Sequence, residues 1–285
     1  MGRAYRGLKR GGLPGCAVAL CLMATAVGSG QAPPTPPSGV QVELVPPPAW
    51  AFNDLACAPH TTTEPPTLTL RVVGSQDTVV KSMMSPTDTL VISGGSAAGL
   101  AAGQEYYVRR LMRNFGAMGP DEKHPVNVHT AAWVRILGVD AGVATATVTH
   151  ACEGILLDDY LEPFSPPLVP ARTLPAGAAQ FDNMGRILSG DEARVIAGIK
   201  DFMNIDRGSN TGIVTGQRFL VFRDKRTSEV NTSGYSEMLR ADLKRLPLVE
   251  IGEVVVVAVR PNGATVQVTV ARDAIRSGDL IAAVQ

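Results

Sequence analysis

The sequence has no excess of either charge, few histidines and no catalytic signature. Lysine plus arginine and aspartate plus glutamate each number 26, so the balance offers no cationic field for a phosphate backbone, and no nucleic-acid partner is expected. No Gly-x-Ser-x-Gly elbow, His-Glu-x-x-His helix or Cys-His pairing occurs, which removes the common signatures of nucleophilic and zinc hydrolysis. The four histidines, His60, His124, His129 and His150, have no partner at metal-ligand spacing along the chain. His124 and His129 fall with Asp121 and Glu122 in one variable loop, where solvated side chains are a simpler reading than an adventitious metal site. No apolar run reaches the roughly twenty residues that a spanning helix needs. The chain therefore reads as non-enzymatic, with no cofactor and no resident metal.

What is present begins with a basic N-terminus. Arg3, Arg6, Lys9 and Arg10 precede an apolar stretch from Cys16 to Val27 and the small residues Gly28, Ser29 and Gly30, the layout of a secretory signal peptide over residues 1–30. A membrane anchor is the alternative, against which stand the short run and Pro14 at its start. Four of the 26 basic residues and none of the 26 acids lie in this segment, so the remainder carries 22 minus 26, or about minus four charges. Beyond it only Cys57 and Cys152 are left. In an oxidising compartment such a pair closes into a disulfide; two small buried side chains that never meet are the other reading.

The dominant feature is a repeat. Asp88 to Arg110 aligns without a gap on Asp201 to Arg223 with nine identities in 23 positions, among them Gly95/Gly208, Gly99/Gly212, Gly103/Gly216 and Arg110/Arg223. Trp133 to Leu161 then aligns on Glu253 to Ile281, with Thr145/Thr265 and Asp159/Asp279 among the shared pairs, after seven extra residues in the second copy. Two copies of one unit make a tandem-domain protein. Proline-rich stretches bound the copies: a spacer over 31–49 and a linker over 163–177, with the β domains at 50–162 and 178–285. Both stretches are expected to be extended, and the linker to hold the domains at a set spacing.

Within each copy the signals are β. Glu250 to Arg260, Pro261-Asn262-Gly263 and Ala264 to Ala271 form a hairpin pattern, with Asn-Gly expected to supply positive φ angles. Several short antiparallel strands in about a hundred residues give a mainly β fold of two small barrel-like domains. Ser236 to Leu246 allows a short helix in the second. The recurrent glycines, with Gly278, mark structural turns. Asp159 and Asp279 suit a turn role, accepting backbone N–H groups. Arg110 and Arg223 end equivalent strands: they are the candidate binding residues, for a carboxylate or anionic glycan, or else cover the barrel edge and pair with a local acid.

The string DRGSNTGIVTGQRFLVFR followed by EVVVVAVRPNGATVQVTVARDAIRSGDLI resembles the β-rich domain that follows LysM modules in Gram-negative envelope proteins. It is also similar to the C-terminal domain of flagellar assembly protein T. Gly208, Ser209, Gly212, Gly216, Gln217, Arg223, Gly278 and Asp279 carry the resemblance; the first copy has Asp158 in place of the last glycine and Gly94 in place of Arg207. No LysM module accompanies it. The resemblance implies SH3-like barrels in an exported scaffold, periplasmic or outer-membrane-associated, that binds an envelope protein or cell-wall component through its variable loops, Leu111 to Thr130 and Asp224 to Pro247. A homo-oligomeric assembly subunit, and a periplasmic hydrolase or glycan-processing enzyme with an interdomain site, are the alternatives.

Overall fold

In a computed structural model of the chain, the described residues are 42–63, 66–67, 69–112, 125–172, 177–225 and 246–284. The signal segment, most of the spacer, His124, the tips of both variable loops and nearly all of the candidate helix from Ser236 to Leu246 lie outside them. The described residues belong to one compact unit, 41–285.

The fold is mainly β. In the first half the strands are β1 (Val72–Ser75), β2 (Thr89–Ser93), β3 (Glu105–Met112), β4 (Val126–Val139), β5 (Val143–Ala151) and β6 (Tyr160–Pro163). In the second they are β7 (Ala179–Gly190), β8 (Phe202–Ile205), β9 (Arg218–Arg223), β10 (Val249–Val259), β11 (Ala264–Ala271) and β12 (Leu280–Val284). The second set closes into a six-stranded barrel in the order β7-β8-β11-β10-β9-β12. The first set runs β6-β3-β4-β5-β2-β1, and its ends meet through a bridge between Arg71 and Tyr160 flanked by Val72 N–H donating to Asp159 O at 2.9 Å.

The two sets share a register position for position. Val91 faces Thr145 as Asn204 faces Thr265, and Val108 faces Ala132 as Val221 faces Gly252. Even the irregularities recur: register shifts after Val108 and Val221, and after Ile136 and Val256. Bulges re-aim side chains and bend the strand locally, so the shared pattern reproduces one curvature twice. Alternation sends Leu90, Ile92, Val134, Ile136 and Ile155 into one apolar core and Met203, Ile205, Val254, Val256 and Ile275 into a separate one. Each side chain so buried contributes about 1.5–3 kcal/mol.

The turn glycines serve two needs. Gly99 and Gly212 take φ of 82° and 79°, which any Cβ would strain. Gly208 does not; a Cβ there would meet Arg260 O at 2.2 Å, and one on Gly95 would meet Asp140 O at 2.0 Å. Those carbonyls belong to the hairpin tips, and the expected positive φ at Asn262-Gly263 is absent. The tip is held from outside, by Ser209 N–H donating to Arg260 O at 2.9 Å and Asn210 N–H to Pro261 O at 3.0 Å, so the hairpin does not need a primed turn.

The spacer and the linker are extended where they meet, and they pair with each other. Leu44–Val45 pairs antiparallel with Val169–Pro170, so the two proline-rich segments satisfy each other's backbone groups. Helix α1 (Ala49–Ala56) follows, with Pro48 at its N-cap and no capping side chain. Eight uncapped residues are too few to be helical alone. What holds them is the Cys57–Cys152 disulfide, with Cα atoms 5.6 Å apart, and the cluster of Phe52, Trp133 and Phe164, Phe52 standing edge-on to Trp133 at 6.0 Å. His60–Thr62 then adds to the edge of β4.

Candidate functional site

Arg110 and Arg223, the candidate binding residues, are engaged by acids of their own units. Arg110 Nε and Nη2 donate to Asp159 at 2.7 and 2.8 Å; Arg223 makes the same fork to Asp279 at 3.0 and 2.9 Å. The carboxylates also accept backbone N–H groups, from Leu156 and Arg276 respectively. Each arginine thus ties the end of a strand to the turn before the last strand. The two arginine side chains remain partly exposed, 22% at Arg110 and 14% at Arg223.

The less anticipated chemistry lies between the halves. Asn127 and Asn204, both fully buried, join them: Asn204 Nδ2 donates to Asn127 Oδ1 at 3.3 Å, and Asn127 Nδ2 donates to Gly190 O at 2.7 Å. Thr265 Oγ1 donates to Pro59 O at 2.7 Å, and Asn262 reaches Thr63 Oγ1 at 3.2 Å. The N-terminal segment is therefore the third partner in the junction. His129 is not a loop residue: it sits in β4, 1% exposed, with Nδ1 2.7 Å from Asp191 of the second half and Nε2 3.0 Å from Glu153. Burial opposes its charge, but the hydrogen bond to Asp191 and the two carboxylate charges outweigh it and raise its pKa.

Beside this network a cavity of about 390 Å³ opens between the halves, walled by α1, β3, the linker and the end of β10. Its polar side chains include Arg109, Arg260, His60, Tyr107 and Glu162. Arg109 is 5% exposed, with its guanidinium carbon 4.1 Å from the centre of the Tyr107 ring. Glu162 lies 2.6 Å from Nη1, but off the N–H direction, so Nε and Nη1 are buried with no aligned hydrogen bond. Arg260 forms no ion pair among the described residues, and burial followed by the Arg109 charge lowers its pKa. Burial, then Arg109 and Arg260, push His60 down to about 2, so it is neutral. Among the described residues, two cations thus face one carboxylate.

Sequence reading missed this cluster because it sought agreement between the copies. Tyr107, Arg109, Tyr160 and Glu162 align with Leu220, Phe222, Leu280 and Ala282, in matching register. The signal is a change from apolar to polar on one face of one copy. His150 also gains neighbours the sequence spacing did not show: its ligand atom lies within 4.8 Å of those of Cys57 and Cys152, but both sulfurs are committed to the disulfide. No protein-family model matches the chain and no curated protein matches it.

Proposed function

We propose that the chain is an exported, non-enzymatic binding scaffold of the cell envelope, built from two tandem SH3-like β domains whose rigid sheets display variable loops to another envelope protein. The observation that carries the reading is a large exposed apolar side chain at the same place in both halves. Met83 and Ile196 occupy equivalent short strands, opposite Leu156 and Arg276, and are 61% and 49% exposed. Val80 at 94%, and Val195 and Ile199 at 58% and 59%, are exposed close by along the chain. Clustered exposed apolar side chains mark binding sites, and two on one unit raise effective concentration toward a partner that engages both. The disulfide supports an oxidising location.

The alternative of an interdomain hydrolase looks to convergent acids or histidines. The cavity between the halves offers Glu162, a neutral His60 and two arginines, a set suited to holding negative charge more than to moving protons. Photo-crosslinking in intact cells from side chains placed at Met83 and at Ile196 tests the scaffold reading. Capture of a neighbouring envelope protein at both positions is the expected result; no protein adduct from either position overturns it.

A further inference from the structure

We infer that the cavity between the two halves is a binding site for a small carboxylate bearing an apolar group. Three observations converge on it. The half-open cavity, about 390 Å³, is the size of a small-molecule site. Its charges do not balance: among the described residues Arg109 and Arg260 oppose only Glu162, a surplus of one positive charge. Arg109 is 5% exposed with Nε and Nη1 lacking aligned acceptors, and since Glu162 already pairs with it, Arg260 has no carboxylate of its own among the described residues; a buried cation in that state is costly unless an anion joins it.

The surplus of one selects a monoanion, since a dianionic phosphate would leave the pocket negative. The guanidinium fork favours a planar carboxylate. The rest of the wall, including Leu44, Leu55, Pro163, Leu168 and Val257, suits a short aliphatic group. The cluster is particular to this junction, because the second copy has Phe222 and Ala282 where the first has Arg109 and Glu162. The site is independent of the exposed apolar side chains that carry the scaffold reading, and either can fail without the other.

Calorimetric titration of the disulfide-intact protein tests it, with N-acetyl-leucine, isocaproate, N-acetyl-leucinamide and inorganic phosphate as probes. Both acids should bind, and the uncharged amide should bind at least about tenfold more weakly. N-acetyl-leucine binding more tightly than isocaproate assigns the site to a peptide chain end; the reverse order assigns it to a free acid. Arg260→Met should weaken both acids about tenfold or more while the unfolding midpoint is retained. Arg109→Phe with Glu162→Ala, which imports the second copy's residues, provides an independent variant and should abolish the preference for acid over amide. Equal binding of acid and amide, binding of phosphate as tight as that of the acids, or no binding of either acid at millimolar concentration overturns the inference.

Discussion

Asp158 takes the left-handed backbone that its counterpart Gly278 takes, φ 68° against 91°. Strain there costs an L-residue about 1–2 kcal/mol, less for aspartate, while glycine gives back part of the relief through a more flexible unfolded chain. Asp158→Gly should therefore stabilise the protein by about 0.5–1 kcal/mol, measured by urea unfolding; the 3.7 Å contact to Arg71 that it removes is highly exposed and worth little. Arg223→Met should act in the other direction. It strands Asp279, a 6% exposed carboxylate, and should destabilise by about 3 kcal/mol. The duplicated Arg-Asp fork was legible in the sequence as a pair of identities, as was the turn role of the aspartates. Identity between copies records what each half needs for itself, which is why it led to Arg110 and Arg223 and away from Arg109 and Arg260.

At the scale of elements, the strands, the hairpins and the glycine turns follow from alternation and punctuation, and the copies predict each other's register. Helix α1 does not follow in the same way. Its sequence, AWAFNDLA, has no cap and too few residues, and it exists through contacts with Trp133, Phe164 and Cys152 that are far away along the chain. Nor could proline content reveal that spacer and linker would pair with each other. The disulfide closes a separation of 95 residues, for which the chain-entropy relation gives about 4–5 kcal/mol. Cys57→Ser with Cys152→Ser should lower the thermal midpoint accordingly. It should also expose Trp133, visible as a red shift of its fluorescence. Gly208→Ala tests the hairpin clamp: the added Cβ collides with backbone and not with a flexible side chain, so a loss above about 1 kcal/mol is expected in unfolding experiments.

For the whole molecule, the two buried histidines set opposing pH limits. His60 has a folded pKa near 2, below its unfolded value of about 6.5. Its contribution is present above that unfolded value and is lost as pH falls below it, by up to about 1.4 kcal/mol per unit. His129 has its pKa raised, so its contribution is full below the unfolded value and is lost as pH rises through the folded one. From these two groups, stability should peak near the unfolded histidine pKa, and His60→Gln should flatten the acid side, as read from urea midpoints across pH. The junction that encloses His60 and His129 also couples the halves, so a single unfolding transition is expected; Asn127→Leu should split it into two in calorimetry. Because Leu44–Val45 pairs with Val169–Pro170 and Pro59 accepts from Thr265, the segment from Leu44 to Pro59 finds its partners far later in the chain, and the seam between the halves closes only once the second half has been made. Until then that segment lacks the partners that hold it in the finished molecule, a window for proteolysis that the closed seam ends.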